Sequence, residues 1–145
     1  MDNYIETSTA NNITTLNVFY KGIEDMTGIE DFINLTYLNC GSNFHNTNNN
    51  TLDVSQCTKL TSLYCGNANI SNLNISNITF LDTLDCWLTD ITSLDISHNN
   101  GLTYLHIFSC NKLYCIQVSS LLNTSNWTVA NSLIEPQHYF SEQCP

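Results

Sequence analysis

The sequence predicts a β-rich solenoid, a coil of stacked parallel strands, and three observations lead there. "LTSLYCGNANISNLNIS" (60–76) returns as "LDTLDCWLTDITSLDIS" (81–97), so that Leu60, Leu63, Cys65, Ile70, Leu73 and Ile75 become Leu81, Leu84, Cys86, Ile91, Leu94 and Ile96, each displaced by 21 residues. A period fixed to the residue marks a repeat architecture. Within each half-repeat, apolar residues alternate over three or four positions, the period of a short strand and not of a helix. Each run then ends in Asn, Gly or Ser, residues that close turns. One half-repeat is too small to bury its own apolar side, whereas copies stacked about 4.8 Å apart bury one another.

The elements follow in order. A weak opening rung, "ITTLNV" (13–18), starts 22 residues ahead of Leu35. "GIEDMTGIEDF" (22–32) spaces Ile23, Met26, Ile29 and Phe32 by three, which predicts a tight helical turn packed on that rung. Two half-units then alternate. One reads L-x-x-L-x-C: "LTYLNC" (35–40), "LTSLYC" (60–65), "LDTLDC" (81–86) and the variant "LTYLHI" (102–107). The other reads L-x-[VI]-S: "LDVS" (52–55), "LNIS" (73–76), "LDIS" (94–97) and a shifted copy "IQVS" (116–119). Extra residues around "HNTNNN" predict a protruding loop in the first full rung. The chain divides into an opening rung with tight helical turns (1–34), about four 21-residue repeats (35–118) and a C-terminal cap (119–145), all within one domain.

Composition narrows the function. Only 11% of the 145 residues are charged, and the net charge is −10 with three lysines and no arginine. Neutralising a phosphate backbone takes clustered Lys and Arg, so nucleic acid is excluded as a partner, and attraction to an anionic membrane fails for the same reason. No apolar run approaches the roughly 18 residues of a membrane span, so no membrane insertion is expected. "MDNYIETSTA" lacks the basic and apolar parts of a signal peptide. Export therefore requires a leader already removed or lying outside this chain.

The repeat L-x-x-L-x-[LC]-x-x-N-x-L is similar to the leucine-rich-repeat signature. "LTSLYCGNANISNLNIS" resembles its 21-residue nested form in exported bacterial surface proteins. "ITTLNVFYKGIEDMTGIEDFINLTYLNCGSN" resembles that family's opening rung, and "LYCIQVSSLLNTSNWTVANSLIEPQHYFSEQC" its C-terminal cap. The resemblance implies a right-handed coil whose cap is closed by a Cys115–Cys144 disulfide. Such a bridge encloses about 30 residues, contributes roughly 3–4 kcal/mol in the chain-entropy model and implies an oxidising compartment. Ala68, Thr89 and Cys110 stand where the motif prefers Asn, so the asparagine ladder that satisfies turn carbonyls is incomplete. The family's helical N-terminal cap is not evident before residue 12.

Cys40, Cys65 and Cys86 occupy the inward strand position, where a free thiol acts as a small hydrophobe filling a narrow core. Ile107 replaces the thiol in the fourth rung, as packing requires. Metal binding would need C-x-x-C or H-x₃₋₅-H spacing, and a catalytic thiol an electropositive setting. Cys57 and Cys110 are read as replacements of turn asparagines. The carboxylates Glu24, Asp25, Glu30 and Asp31 are read as a solvated helical face in preference to a paired-acid site. His45, His98, His106 and His138 lie in unrelated settings and form no metal or hydrolase motif. The column Asp53, Asn74, Asp95 places one oxygen ligand per rung and lacks the dense spacing of a calcium loop. N-x-[ST] triplets are frequent, as expected by chance in an Asn-, Ser- and Thr-rich chain.

The best candidate site is the outward face of the L-x-x-L-x-C strands, because residues flanking the inward Leu point to solvent. Its columns read Tyr37, Ser62, Thr83, Tyr104; Asn39, Tyr64, Asp85, His106; and Gly41, Gly66, Trp87, Phe108. Tyr37, Tyr64, Asp85, Trp87, Tyr104, His106 and Phe108 together resemble a recognition surface. The sequence therefore predicts a non-catalytic module without cofactor or metal, secreted or displayed at a cell surface. It would bind a protein or a carbohydrate there, the alternative being a structural spacer or stalk of a surface protein.

Overall fold

The computed structural model describes residues 7–43, 50–122, 124 and 135–145. The "HNTNNN" loop lies almost wholly outside the described residues, as does much of the cap. After a single helical turn, α1 (Thr7–Ala10), the chain forms β1 (Thr15–Asn17), a 3-10 turn (Ile29–Asp31), β2 (Tyr37–Asn39), β3 (Thr51–Asp53), β4 (Ser62–Tyr64), β5 (Asn72–Asn74), β6 (Thr83–Asp85), β7 (Leu94–Asp95), β8 (Tyr104–His106), β9 (Cys115–Gln117) and β10 (Tyr139–Ser141).

Among the described residues every strand pairing is parallel, and the two half-units build different sheets. The L-x-x-L-x-C strands form one five-stranded sheet in the order β1-β2-β4-β6-β8. Its register aligns Leu16 with Leu38, then Leu63, Leu84 and Leu105. The last four side chains are at most 1% exposed. The opening rung is thus a true first coil, joined at the 22-residue offset. The second half-units divide into a β3-β5 pair and a β10-β9-β7 sheet. Ile116 pairs with Leu94, which makes "IQVS" a genuine copy of its half-unit. β5 and β7 are not paired; near this seam the Asp90 amide still donates to the Ile70 carbonyl at 2.9 Å.

Residues 22–32 are less helical than their spacing predicts. Only Ile29–Asp31 is helical, because Gly22 (φ 68°) and Gly28 (φ 98°) adopt left-handed backbone that interrupts the run. The apolar contacts survive: Ile29 is buried, and Met26 and Phe32 pack against the core.

Each rung leaves the five-stranded sheet through a left-handed residue: Tyr20 (φ 53°), Ser42 (56°), Asn67 (52°), Leu88 (52°) and Ser109 (61°). Asn tolerates this conformation; Tyr and Leu do so at a cost. The stacking compensates, because the first four of these amides donate across to the next rung: Tyr20 to Gly41 O (3.0 Å), Ser42 to Gly66 O (3.0 Å), Asn67 to Trp87 O (2.7 Å) and Leu88 to Phe108 O (2.8 Å).

One residue beyond that corner lies the asparagine slot. Asn43 is fully buried. Its Nδ2 donates to the carbonyls of Cys40 (2.8 Å) and Val18 (2.9 Å), while its Oδ1 accepts from the amides of Lys21 (3.1 Å) and Ile23 (3.0 Å). Thr89 reproduces one of these bonds, Oγ1 to Cys86 O at 2.8 Å. The Cys110 thiol reaches the same carbonyl at 3.2 Å. Cys57 belongs to another turn column, with Ile78 and Asn99 at 21-residue intervals, each amide donating to the carbonyl three residues before it. Asn99 completes that column, donating from Nδ2 to Ile78 O at 2.6 Å.

The cap is closed by a Cys115–Cys144 disulfide. The other five cysteines are free and buried. Burial pushes the Cys40 thiol up to about 12, and burial, with neighbouring Cys40 and Asp85, also raises Cys65. Cys57, buried and facing Glu30 and Asp53, is pushed up to about 11. A hydrogen bond shared by Cys86 and Cys110 raises Cys86 and lowers Cys110 to about 7.

Candidate functional site

The outward face of the five-stranded sheet is assembled by register alone. β4, β6 and β8 bring Tyr64, Asp85 and His106 into one row, and Ser62, Thr83 and Tyr104 into the next. The Tyr37 and Tyr64 rings lie 5.5 Å apart, tilted by 41°. The Trp87 and His106 rings stack at 6.2 Å and 16°, and Tyr104 meets His106 edge-on at 6.4 Å. All seven candidate residues thus lie on one face, six of them linked by ring contacts or the Asp85 carboxylate. Phe108 extends the row beyond Trp87 and is 42% exposed, while Tyr104 is 37% exposed.

Trp87 is half-buried. A Cβ built on Gly66 would lie 2.3 Å from Trp87 Cδ1 and 2.4 Å from its Nε1, so the indole occupies the space that a side chain on the previous rung would fill. Phe19 approaches Gly41 from the opposite side, at 3.4 Å from the equivalent point. The column therefore starts one rung earlier than its sequence reading, at Phe19, and the 22-residue offset of the opening rung is the signal for it.

Asp85 organises the centre. Its Oδ2 lies 3.2 Å from His106 Nδ1, and its Oδ1 accepts from the Trp87 amide at 3.5 Å. Asn17 and Asn39 close the same turn in earlier rungs, through the amides of Phe19 and Gly41. Asp82 joins the flank, accepting from Thr103 Oγ1 at 2.6 Å. Burial raises the Tyr64 phenol, aided by Tyr37, Asp85 and Asp82; burial, then Asp85 and Tyr64, raises Tyr104.

The other candidate clusters are absorbed by local structure. Asp53 Oδ1 accepts from the Ser55 amide (2.9 Å), Asn74 Oδ1 from Ser76 Oγ (2.9 Å) and Asp95 Oδ1 from the Ser97 amide (2.9 Å). Burial alone would raise the Asp53 carboxyl, but its bonds to Ser55 and Asn74 outweigh that and hold it below its ordinary value. Asp25 accepts from the Thr27 hydroxyl and amide, at 2.8 and 2.9 Å, which lowers its carboxyl. Glu30 Oε2 accepts from the Gly28 amide at 2.8 Å. Among the described residues, no group of three or more His, Cys, Asp or Glu side chains is placed to hold a metal ion, and no helix is long and apolar enough to cross a membrane. His138 Nδ1 lies 2.8 Å from the Leu113 carbonyl, away from the face.

Neither a protein-family model nor a curated protein sequence matches the chain. Solved structures do. The functional domain of InlJ from Listeria monocytogenes, a structure noted for its cysteine ladder, aligns with a TM-score of 0.64 and 29% identity over 83% of this chain. The chain has the fold of a bacterial leucine-rich-repeat domain. A second neighbour, the internalin InlF from Listeria monocytogenes strain 4b F2365, has a TM-score of 0.52 at 23% identity over 79% of the chain and adds support for the fold alone. The chain spans 34% of the length of the InlJ structure and 44% of that of the InlF structure. A ladder of thiols is present here as well, since Cys40, Cys65 and Cys86 follow aligned strands and are fully buried. Both neighbours are internalins, bacterial leucine-rich-repeat surface proteins, and the likeness is to interaction or surface modules in general.

Proposed function

We propose that the leucine-rich-repeat domain is a non-catalytic recognition module, carried by an exported or surface-displayed bacterial protein. It binds a protein partner through the aromatic face of the β1-β2-β4-β6-β8 sheet. The observation that carries this reading is the exposure of Tyr104 and Phe108 on one rung, on either side of His106, beside the linked rings of Tyr37, Tyr64, Trp87 and His106. Exposed aromatic side chains rimmed by polar groups are typical of interface anchors. The supporting pattern is that the turn-facing carboxylates and amides elsewhere close their own turns, whereas these rings close nothing.

The test compares the domain with a Tyr104→Ser, Phe108→Ser double variant on arrays of surface proteins and of glycans. Both side chains are exposed enough for the variant to keep its melting temperature within about 3 °C, since truncation there leaves no cavity. Retention on a protein ligand with at least tenfold loss in the variant is the expected outcome, about 1.4 kcal/mol. Binding confined to glycans replaces the partner class. Equal binding by both proteins sets the face aside and favours the spacer.

A further inference from the structure

We infer that Cys86 and Cys110 are a dithiol poised to close into a second disulfide, locking the last two rungs of the five-stranded sheet when a small disulfide oxidant reaches them. The pair lies inside the coil, and its chemistry does not depend on what the aromatic face binds. Five cysteines are free and buried, and the filling of a narrow core accounts for Cys40, Cys65 and Cys86 taken singly. It does not account for Cys110. That residue stands in the slot where Asn43 makes four hydrogen bonds to turn backbone. A thiol is a poor substitute there, since S–H is a weak donor and sulfur a weak acceptor.

What the thiol gains in that slot is a partner sulfur. Cys110 Sγ lies 3.2 Å from the carbonyl oxygen of Cys86, and the two side chains share a hydrogen bond. Thr89 Oγ1, in the same slot of the preceding rung, lies 3.3 Å from Cys110 Sγ. Among the described residues no other two thiols share a hydrogen bond. Sulfurs already within hydrogen-bond reach need a short approach to a bond of about 2.0 Å. The hydrogen bond from Cys86, helped by Thr89, outweighs burial and lowers the Cys110 thiol to about 7, whereas Cys86 is raised. Cys110 is therefore the sulfur that ionises first and attacks. Its place at the end of the coil supplies access. The Ser109 amide beside it is held by the Glu135 carboxylate, at 3.0 Å, where the earlier corners are held by the backbone of a following rung. Local opening of the cap thus reaches Cys110 before the other thiols.

The exchange balances with the small disulfide alone. The Cys110 thiolate attacks one of its sulfurs and expels the other half as a thiolate. Cys86 gives up its proton, and its sulfur attacks Cys110 Sγ and releases the second half. Two protein thiols are oxidised by two electrons, the small disulfide is reduced to two thiols, and the two protons leave with them. Cys86 precedes Trp87 and Cys110 follows Phe108 by two residues, so the bridge ties together the two rungs that carry those rings.

The experiment incubates the native protein, with Cys115–Cys144 intact, in excess hydroxyethyl disulfide near pH 8 and quenches with acid. That reagent is small and uncharged, so the acidic chain does not repel it. Thiol titration in guanidinium should fall from the five free cysteines by two, with a loss of two hydrogens in mass. Peptide mapping should join the peptides holding Cys86 and Cys110, and the bridged protein should unfold at a higher urea midpoint. Cys110→Ser should lose no thiols, and Cys40→Ala, which removes a ladder thiol outside the pair, should bridge as the wild type does. Retention of all the thiols, a lasting adduct of the reagent on Cys110, or a bridge between two ladder residues overturns the pair. So does a Cys110→Ser variant that still loses two thiols, and a midpoint no higher after bridging overturns the lock.

Discussion

Replacing Asn43 with Ala should destabilise the coil more than its single-residue size suggests. The side chain joins the first two rungs: its amide donates to Cys40 O at 2.8 Å and Val18 O at 2.9 Å, and its carbonyl accepts from the amides of Lys21 and Ile23 at 3.1 and 3.0 Å. Each such bond is worth about 1 kcal/mol net, and a buried group left without a partner costs about 1–3 kcal/mol. The Cys40 carbonyl lies in a buried setting, whereas the Lys21 and Ile23 amides are partly open to water, so the sum falls at roughly 3–5 kcal/mol. Urea denaturation followed by circular dichroism should show a lower midpoint at unchanged slope, with the melting temperature down by roughly 10 °C for a chain of this size. Asn43→Asp sets an acceptor-only carboxylate oxygen against the same carbonyls in a buried site, and should be at least as destabilising as Asn43→Ala at neutral pH. A loss below about 1 kcal/mol for Asn43→Ala would refute the claim that this residue ties the opening rung to the coil. A fall in slope with little change in midpoint would mean that the first rung unravels separately, as quasi-one-dimensional repeat proteins can.

Leu63→Ala should cost roughly 2–5 kcal/mol, because rungs on both sides hold the cavity open; a smaller loss in urea denaturation would mean that the ladder collapses around it. Gly66→Ala should drive Trp87 off its seat, since the new Cβ would meet the ring at 2.3 Å; in a Trp127→Phe background the Trp87 emission should move to the red, and an unchanged spectrum would show that the ring does not lie there. Reducing Cys115–Cys144 should lower stability by roughly 3–4 kcal/mol, while Cys40, Cys65 and Cys86 resist iodoacetamide until the chain unfolds; peptide mapping of the native protein checks both. Alkaline pH should destabilise the fold. Cys40, Cys57, Cys65 and Cys86 are raised above their ordinary value near 9, so their contribution is complete below pH 9 and lost as pH climbs toward 11–12, on the order of 1 kcal/mol per pH unit for Cys40. Cys110 acts in the opposite sense, its contribution present above 9 and lost as pH falls through about 7. Urea midpoints at pH 8 and 10.5 that coincide would contradict this assignment of the thiols.

The repeat period alone dictates the coil. The 21-residue offset places Leu38, Leu63, Leu84 and Leu105 in one buried column and Cys40, Cys65 and Cys86 in the next, because a parallel stack of identical short strands admits one register that buries every apolar residue. The same offset puts Tyr64, Asp85 and His106 in one outward row, so the composition of the candidate face was legible too. Tertiary structure decided what those residues do with one another. Asp85 and His106 come together, and Trp87 fills the space beside Gly66, because side-chain conformation follows from neighbours a rung away and not from the repeat. The glycines at 22 and 28 reduced a helical spacing to a single 3-10 turn, since left-handed backbone overrides an apolar period. Leu88 and Tyr20 adopt the left-handed corner that their own propensities oppose, because each amide gains a partner in the next rung only there. A residue's preference is local, and in a solenoid the hydrogen bonds that overrule it belong to the stack.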